Sequence, residues 1–413
     1  RKTTQKETGF RCVVGIKKIG FKEEKKMKQR TKKLVSMLIV GTMAVSMLAG
    51  CGAKKETGSD KSEKKESAKI GVLVADVSGE EAQGFRSYYE NYIADNYDVE
   101  FSYTDALESA EDEKAAIEKF ASQGCQAIIS FSSSDRAQQI ETCEKYGVYY
   151  AVASGVLDDQ QYETYKTYEH FVGQVGPSNE TEFEAGKDMG AYYKEEGVSK
   201  VALYGAFVPN PMHVYRVAGV LAGLGCTYGG VSDMDAIVGQ IFQDQTVDLS
   251  KVGGDVEVVA YLQGYGDTTT DELNAAIQKT PDAFISVGMA TTFFAQSLNE
   301  AGISFSDIDS FTATNETAMK EGKLTYLSGK YSSSIGPVFA LVMNAIDGNV
   351  IRDEDGNAPS ISQKYLVATD VETFDKYYVS DNGDSPIYDK ETLDNIIGEN
   401  VTFDDVKTLV ESK

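Results

Sequence analysis

Residues able to do chemistry are few in this chain, and they are suited to holding a ligand more than to turning one over. Ser132-Ser133-Ser134 sits between an apolar run and a helical stretch. That gathers hydroxyls and backbone N–H groups at a helix start, a setting for the oxygens of a polar ligand; one of the serines simply capping the helix fits equally well. Arg216 offers a planar guanidinium that can grip hydroxyls or a carboxylate at two points, and reads as readily as a solvent-exposed arginine. Asn210, in the Pro209-Asn210-Pro211 turn just before it, is a second polar contact. Tyr331 can stack on a ligand face or pack in a core.

Catalytic signatures do not appear. Only His170 and His213 are present, with no His-Glu-x-x-His and no clustered Cys/His to bind a metal. A Gly-x-Ser-x-Gly elbow and a Walker loop are both missing. Asp353-Glu354-Asp355-Gly356-Asn357 misses the calcium-loop spacing, with Gly fourth and Lys364 at the twelfth place; it reads as a turn. No cofactor, metal or enzymatic activity is expected.

The elements that must position these side chains alternate. Apolar runs at 70–75, 99–103, 127–131 and 148–153 are separated by amphipathic stretches at 83–94, 111–122 and 135–145. The pattern restarts after Gly176, with helices at 180–195, 212–224, 270–278 and 292–300 and strands at 201–204, 256–262, 283–287 and 309–312. Strands apolar at every residue, separated by helices, predict an α/β fold of parallel sheets covered on both faces. Two such units predict two domains. Ligands of open parallel sheets lie beyond the carboxyl ends of the strands. Those ends bring Asp76 and Ser154 into the candidate set beside Ser132, Ser133, Ser134 and Asn210.

The first 68 residues read differently. A basic run at Lys28, Arg30, Lys32 and Lys33 precedes an apolar stretch from Leu34 to Leu48, ending Leu48-Ala49-Gly50-Cys51. This is the build of a secretory signal peptide, and its ending resembles the lipobox of bacterial lipoproteins. That resemblance implies lipidation of Cys51, cleavage after Gly50 and attachment to the outer face of the cell membrane. Residues 1–26 read as an over-extended start, 27–50 as the signal peptide and 51–68 as a flexible tether. The first 50 positions hold 13 of the 40 basic and 3 of the 64 acidic residues, leaving a net charge near −34 beyond them. So acidic a body excludes nucleic acid as a partner. Cys125, Cys143 and Cys226 have no metal spacing and read as buried thiols, with a Cys125–Cys143 disulfide the alternative that an exported protein leaves open.

Three segments carry a wider resemblance: Lys69-Ile70-Gly71-Val72-Leu73-Val74, Tyr215-Arg216-Val217-Ala218-Gly219-Val220, and Glu321-Gly322-Lys323-Leu324-Thr325 leading into Gly336-Pro337-Val338-Phe339-Ala340. With these, residues 69–370 resemble the type 1 periplasmic binding proteins, solute receptors of ABC importers. The resemblance implies two lobes, each a parallel sheet flanked by helices, joined by a three-segment hinge near Gly173, Lys330 and Ser360. Lobe 1 would be 69–172 with 331–359, and lobe 2 would be 173–330 with 360–413. Arg216 would point into the cleft.

By the same resemblance the ligand is a small polar solute, a sugar first, and the partner an ABC permease in the membrane. The sequence departs from the family's hexose and pentose binders, with Glu81-Ala82, Ser154-Gly155 and Gly288-Met289 where those show aromatic, Asp-Arg and Asn-Asp residues. The stretch 210–225 is similar to the nucleoside-binding lipoproteins of the same fold. A lipid-tethered sensor that signals to a membrane partner is the alternative from another class.

Overall fold

A computed structural model describes residues 67–382 and 386–413. The expected leader, the lipidation site Cys51 and nearly all of the tether lie outside the described residues.

Among the described residues fourteen strands alternate with helices. They are β1 (Ala68–Leu73), β2 (Val99–Tyr103), β3 (Ala127–Ser130), β4 (Tyr149–Ala153), β5 (Phe171–Gly176), β6 (Lys200–Tyr204), β7 (Thr227–Tyr228), β8 (Val252–Gly253), β9 (Glu257–Leu262), β10 (Ala283–Ser286), β11 (Ser304–Ser310), β12 (Leu324–Lys330), β13 (Ser360–Ser362) and β14 (Leu366–Ala368). One sheet runs β13-β5-β4-β3-β1-β2 and is parallel throughout. The other runs β14-β12-β11-β10-β6-β9, parallel except for β14 at its edge. β7 and β8 form a separate two-stranded antiparallel sheet.

Each sheet is covered on both faces, which is why its strands are apolar at successive positions. Ile70, Val72 and Leu73 in β1 are fully buried, as are Val201, Ala202, Leu203 and Tyr204 in β6. Helices pack tightly where glycine permits. A Cβ on Gly219 would meet the Phe183 carbonyl oxygen at 2.0 Å, and one on Gly186 would meet that of Arg216 at 2.0 Å. The helices Asn179–Glu195 and Pro211–Gly223 therefore touch backbone to backbone, which sets Glu182 beside Arg216. The expected helix at 83–94 runs from Glu80 to Asn96 with a π-helical turn at Tyr88–Ile93. Tyr88 and Tyr89, adjacent in that turn, are both buried.

The lobe boundaries differ from those expected. β5 completes the first sheet, so the first crossing follows Gly176 rather than Gly173. β13 also joins that sheet, through Ser360↔Gln174 to Ser362↔Gly176, so 360–362 belongs to lobe 1. β14 and the helix Val371–Asn382 go to lobe 2, where Ala368 and Phe374 lie in its core. From Pro386 the chain is back on lobe 1, with Tyr388, Leu393, Ile396, Val406 and Val410 in that lobe's core. The C-terminal segment thus belongs to the opposite lobe from the one expected, because its apolar residues complete the lobe 1 core.

The strand expected at 309–312 is β11, at Ser304–Ser310. Two aspartates inside it mask its apolar pattern. Cys125, Cys143 and Cys226 are buried and free, and 353–357 is a turn closed on the Asp353 carboxylate. No helix of the described residues is long and apolar enough to cross a membrane.

Candidate ligand cleft

The carboxyl ends of the two sheets meet across a polar cluster centred on Lys330, the last residue of β12. Its ammonium lies 3.1 Å from Glu81 Oε1 and donates to Ser154 Oγ at 2.8 Å, both on lobe 1. It also sits between the rings of Phe85 and Tyr365, 5.8 and 5.9 Å from their centroids. Ser310, closing β11 on lobe 2, donates to Glu81 Oε1 at 2.7 Å. Ser154 itself adopts the left-handed conformation, with φ 56°.

Electrostatics keep this cluster ionised. Burial pushes the Glu81 carboxyl up, but the Lys330 charge and the Ser310 hydroxyl outweigh it and hold it below its ordinary value. For Lys330 burial works against the charge, and Glu81 more than offsets it, so the ammonium titrates above the usual lysine range. Beneath them Asp307 and Asp309 are raised, chiefly by burial and then by the neighbouring carboxylates, Asp309 acting on Asp307 and Glu81 on Asp309.

Arg216 is at the cleft but already has partners. Its Nε donates to Glu182 Oε2 at 2.6 Å, Nη1 to the Val287 carbonyl at 2.9 Å and Nη2 to the Tyr365 hydroxyl at 2.6 Å. The Tyr365 hydroxyl in turn donates to Glu182 Oε1 at 3.1 Å, closing a three-membered ring of contacts. The Arg216 and Glu182 side chains are each 6 % exposed. The guanidinium is thus neutralised from within lobe 2, leaving a ligand its edge and not its full charge.

The other expected contacts are scattered. The Ser132 hydroxyl donates to the buried Glu113 carboxylate, which also accepts the backbone N–H of Ser134 at 2.9 Å and of Asp135 at 3.0 Å. That loop is built around an internal anion, and the helix Arg136–Tyr146 is capped by Asp135 and not by a serine. Ser133 is exposed. Asp76 accepts the N–H groups of Ser78 and Gly79 within its own loop, and Asn210 caps its helix through Met212 N. Tyr331 packs on Phe311 and Tyr377. It lines a cavity of about 800 Å³ at the hinge with Gln363, Tyr365, Tyr388 and Ser412.

Of the residues singled out from sequence, the cluster brings together Arg216 and Ser154. Glu182, Ser310 and Tyr365 complete it and went unmarked, while Lys330 stood out only as a hinge position and Glu81 only as a departure from the sugar-binder pattern. Among the described residues one group has donors for a cation: Glu144, Glu169 and His170, with ligand atoms within 4.8 Å of one another. It lies at the amino end of β5, away from the cleft, and His170 Nδ1 already contacts Glu144 at 3.1 Å.

No protein-family model matches this chain, and no curated protein does. Solved structures do match. A solute-binding protein of an ABC transporter from Bacillus halodurans, with bound myo-inositol, is 17 % identical with a TM-score of 0.53, covering 77 % of this chain and 99 % of that one. The arabinose transporter component from a Shewanella species, bound to L-arabinofuranose, is 16 % identical with a TM-score of 0.54, covering 75 % and 94 %. An Actinobacillus succinogenes solute-binding protein with D-allose is 16 % identical with a TM-score of 0.55, covering 75 % and 100 %. Identities this low speak to architecture, and with the paired sheets and chain crossings they establish that this chain has the two-lobed type 1 periplasmic-binding-protein fold.

Proposed function

We propose that this protein is an extracytoplasmic solute receptor of an ABC importer, tethered to the membrane through a lipid on Cys51. It binds a small polar solute, a sugar first, and passes it to a permease without chemical change. The observation that carries this reading is the cluster joining the lobes. Glu81 and Ser154 of lobe 1 meet Lys330 and Ser310 of lobe 2 at the carboxyl ends of both sheets. Polar groups that converge from two bodies linked by narrow crossings suit a solute enclosed by hinge bending. The cyclitol and the sugars held by the similar structures support the choice of ligand class.

A thermal-shift screen of the purified protein against sugars, cyclitols, nucleosides and amino acids tests it. A ligand that binds only the native state must raise the melting temperature. A saturable rise with sugars or cyclitols is expected. A rise confined to nucleosides would move the assignment to that class, and no rise with any compound would remove the solute-receptor reading.

A further inference from the structure

The carboxyl rim of lobe 2 changes character away from the hinge. β10, β6 and β9 are successive neighbours in the second sheet, with β9 at the edge opposite β14. Each supplies a ring beyond its carboxyl end. Phe207 follows β6, Tyr265 follows β9, and Phe293 lies in the helix Ala290–Ala301 after β10. Tyr265 is 69 % exposed and Phe207 41 % exposed, although large apolar side chains in this fold are mostly buried.

These rings are held in place. Tyr265 stacks on Phe293 with centroids 4.5 Å apart and planes 22° from parallel, so one face of the phenol is backed and the other is free. The flanking Gly264 and Gly266 take φ 74 and 136, conformations that let the loop turn outward around the tyrosine. The Gly264 N–H donates to the Ala206 carbonyl and the Gly264 carbonyl accepts from Tyr204, tying the Tyr265 loop to the Phe207 loop. Phe207 is edge-on to His213 at 5.7 Å. Burial, then the Arg216 charge, keep that imidazole neutral, so it adds no charge beside Phe207.

An apolar ring presented flat to solvent, beside a polar cleft, suits the C–H face of a sugar while the hydroxyl edges stay wet. Distance then decides how large the ligand is. Ser310, in the polar cluster, ends β11, and β9 is three strands away across the sheet. At the usual strand spacing this is roughly 14 Å, well beyond the width of one sugar ring. Resting on the solute-receptor reading, the geometry points to a saccharide of two or more rings, with one unit at the Lys330–Glu81–Ser310 cluster and a further unit stacked on Tyr265.

The experiment is calorimetric titration of the purified protein with mono-, di- and trisaccharides of glucose, galactose, mannose, xylose and arabinose, repeated with Tyr265→Ala and Tyr265→Phe. The expected result is a di- or trisaccharide binding at least about tenfold more tightly than its monosaccharide, the scale of one good aromatic contact. Tyr265→Ala removes that advantage and leaves the monosaccharide affinity within about twofold, whereas Tyr265→Phe retains it. Equal affinity for single and linked sugars, with no effect of Tyr265→Ala, overturns the platform and leaves the receptor reading standing. No binding of any saccharide overturns the platform and the choice of sugars as the ligand class. An unchanged melting temperature for the variant shows that any loss is not misfolding.

Discussion

The Lys330 ammonium and the Glu81 carboxylate lie 3.1 Å apart although they belong to different lobes. Lys330 ends the last parallel strand before the second crossing, and Glu81 opens the first helix of lobe 1. The pair therefore links the two bodies through side chains at the cleft, apart from the backbone crossings. Glu81 is about a third exposed, so solvent screens the pair and its share of folding stability is small, about 1 kcal/mol or less. Its leverage is on the closed arrangement. Lys330→Met removes the charge and keeps the stem between Phe85 and Tyr365. The ligand-free variant is expected to show a larger radius of gyration by small-angle scattering than the wild type; an identical radius would mean that the backbone crossings alone set the lobe angle.

The Glu182–Arg216 pair should behave in the opposite way. Both side chains are almost fully buried, and Tyr365 bonds to each. Glu182→Gln leaves a guanidinium without a counter-charge in a dry site, a change that typically costs about 3–5 kcal/mol. Equilibrium urea unfolding should register that loss. Replacing both, as Glu182→Leu with Arg216→Met, should cost markedly less, because no charge is left stranded. A double variant as unstable as the single one would assign the loss to packing. Ligand affinity of the double variant separately tests whether Arg216 touches the solute.

The alternating pattern was legible in sequence because buried parallel strands are apolar on both faces, as in β1 and β6. β11 was mostly hidden. Asp307 and Asp309 break its apolar run, yet Asp307 is fully buried and accepts from Ser286 and from the Thr291 N–H. No local rule anticipates a carboxyl held by the neighbouring strand and the helix that follows it. The cleft was half legible for a related reason. Strand ends could be located, so Ser154 was found, but whether a side chain there faces a ligand or an internal partner depends on residues far away in sequence. Ser132 serves Glu113, and Arg216 has Glu182 and Tyr365. The lobe of the C-terminal segment was unreadable as well, since the same amphipathic helix could cover either sheet.

Acid should destabilise the protein through His213. Burial, reinforced by the Arg216 charge, lowers its pKa to about 3, and its Nδ1 has no hydrogen-bond partner. An unfolded histidine titrates near 6.5. The folded value is depressed, so the stabilisation is complete above about pH 6.5 and is lost progressively as pH falls toward 3. At pH 5 the loss from this residue is about 2 kcal/mol. Melting temperatures of the wild type and His213→Gln, compared from pH 7 to pH 5, should converge as acid is added. A constant gap between the two curves would exclude His213 as the source.

The C-terminal segment should be an integral part of lobe 1. Tyr88 donates to the Tyr388 carbonyl, and the Lys390 N–H donates to the Tyr92 hydroxyl at 2.8 Å. The buried Asn344 donates to the Ile396 carbonyl and accepts the Gly398 N–H, each at 2.8 Å. Leu393, fully buried, packs in the same core as Phe339. Leu393→Ala leaves a cavity there and is expected to cost about 2–5 kcal/mol. Ending the chain at residue 385 would go further, stranding both polar groups of Asn344 and uncovering the apolar surface around Tyr88. The shortened protein is expected to be insoluble or to melt far below the full chain, in contrast to an appendage, whose removal leaves the melting temperature where it was. Since the helix Val371–Asn382 stays with lobe 2 while this segment closes lobe 1, Leu393→Ala should also raise hydrogen exchange in lobe 1, at Ile335 and Phe339, before it does so in β6 or β10. Equal acceleration in both lobes would mean that they unfold as one unit.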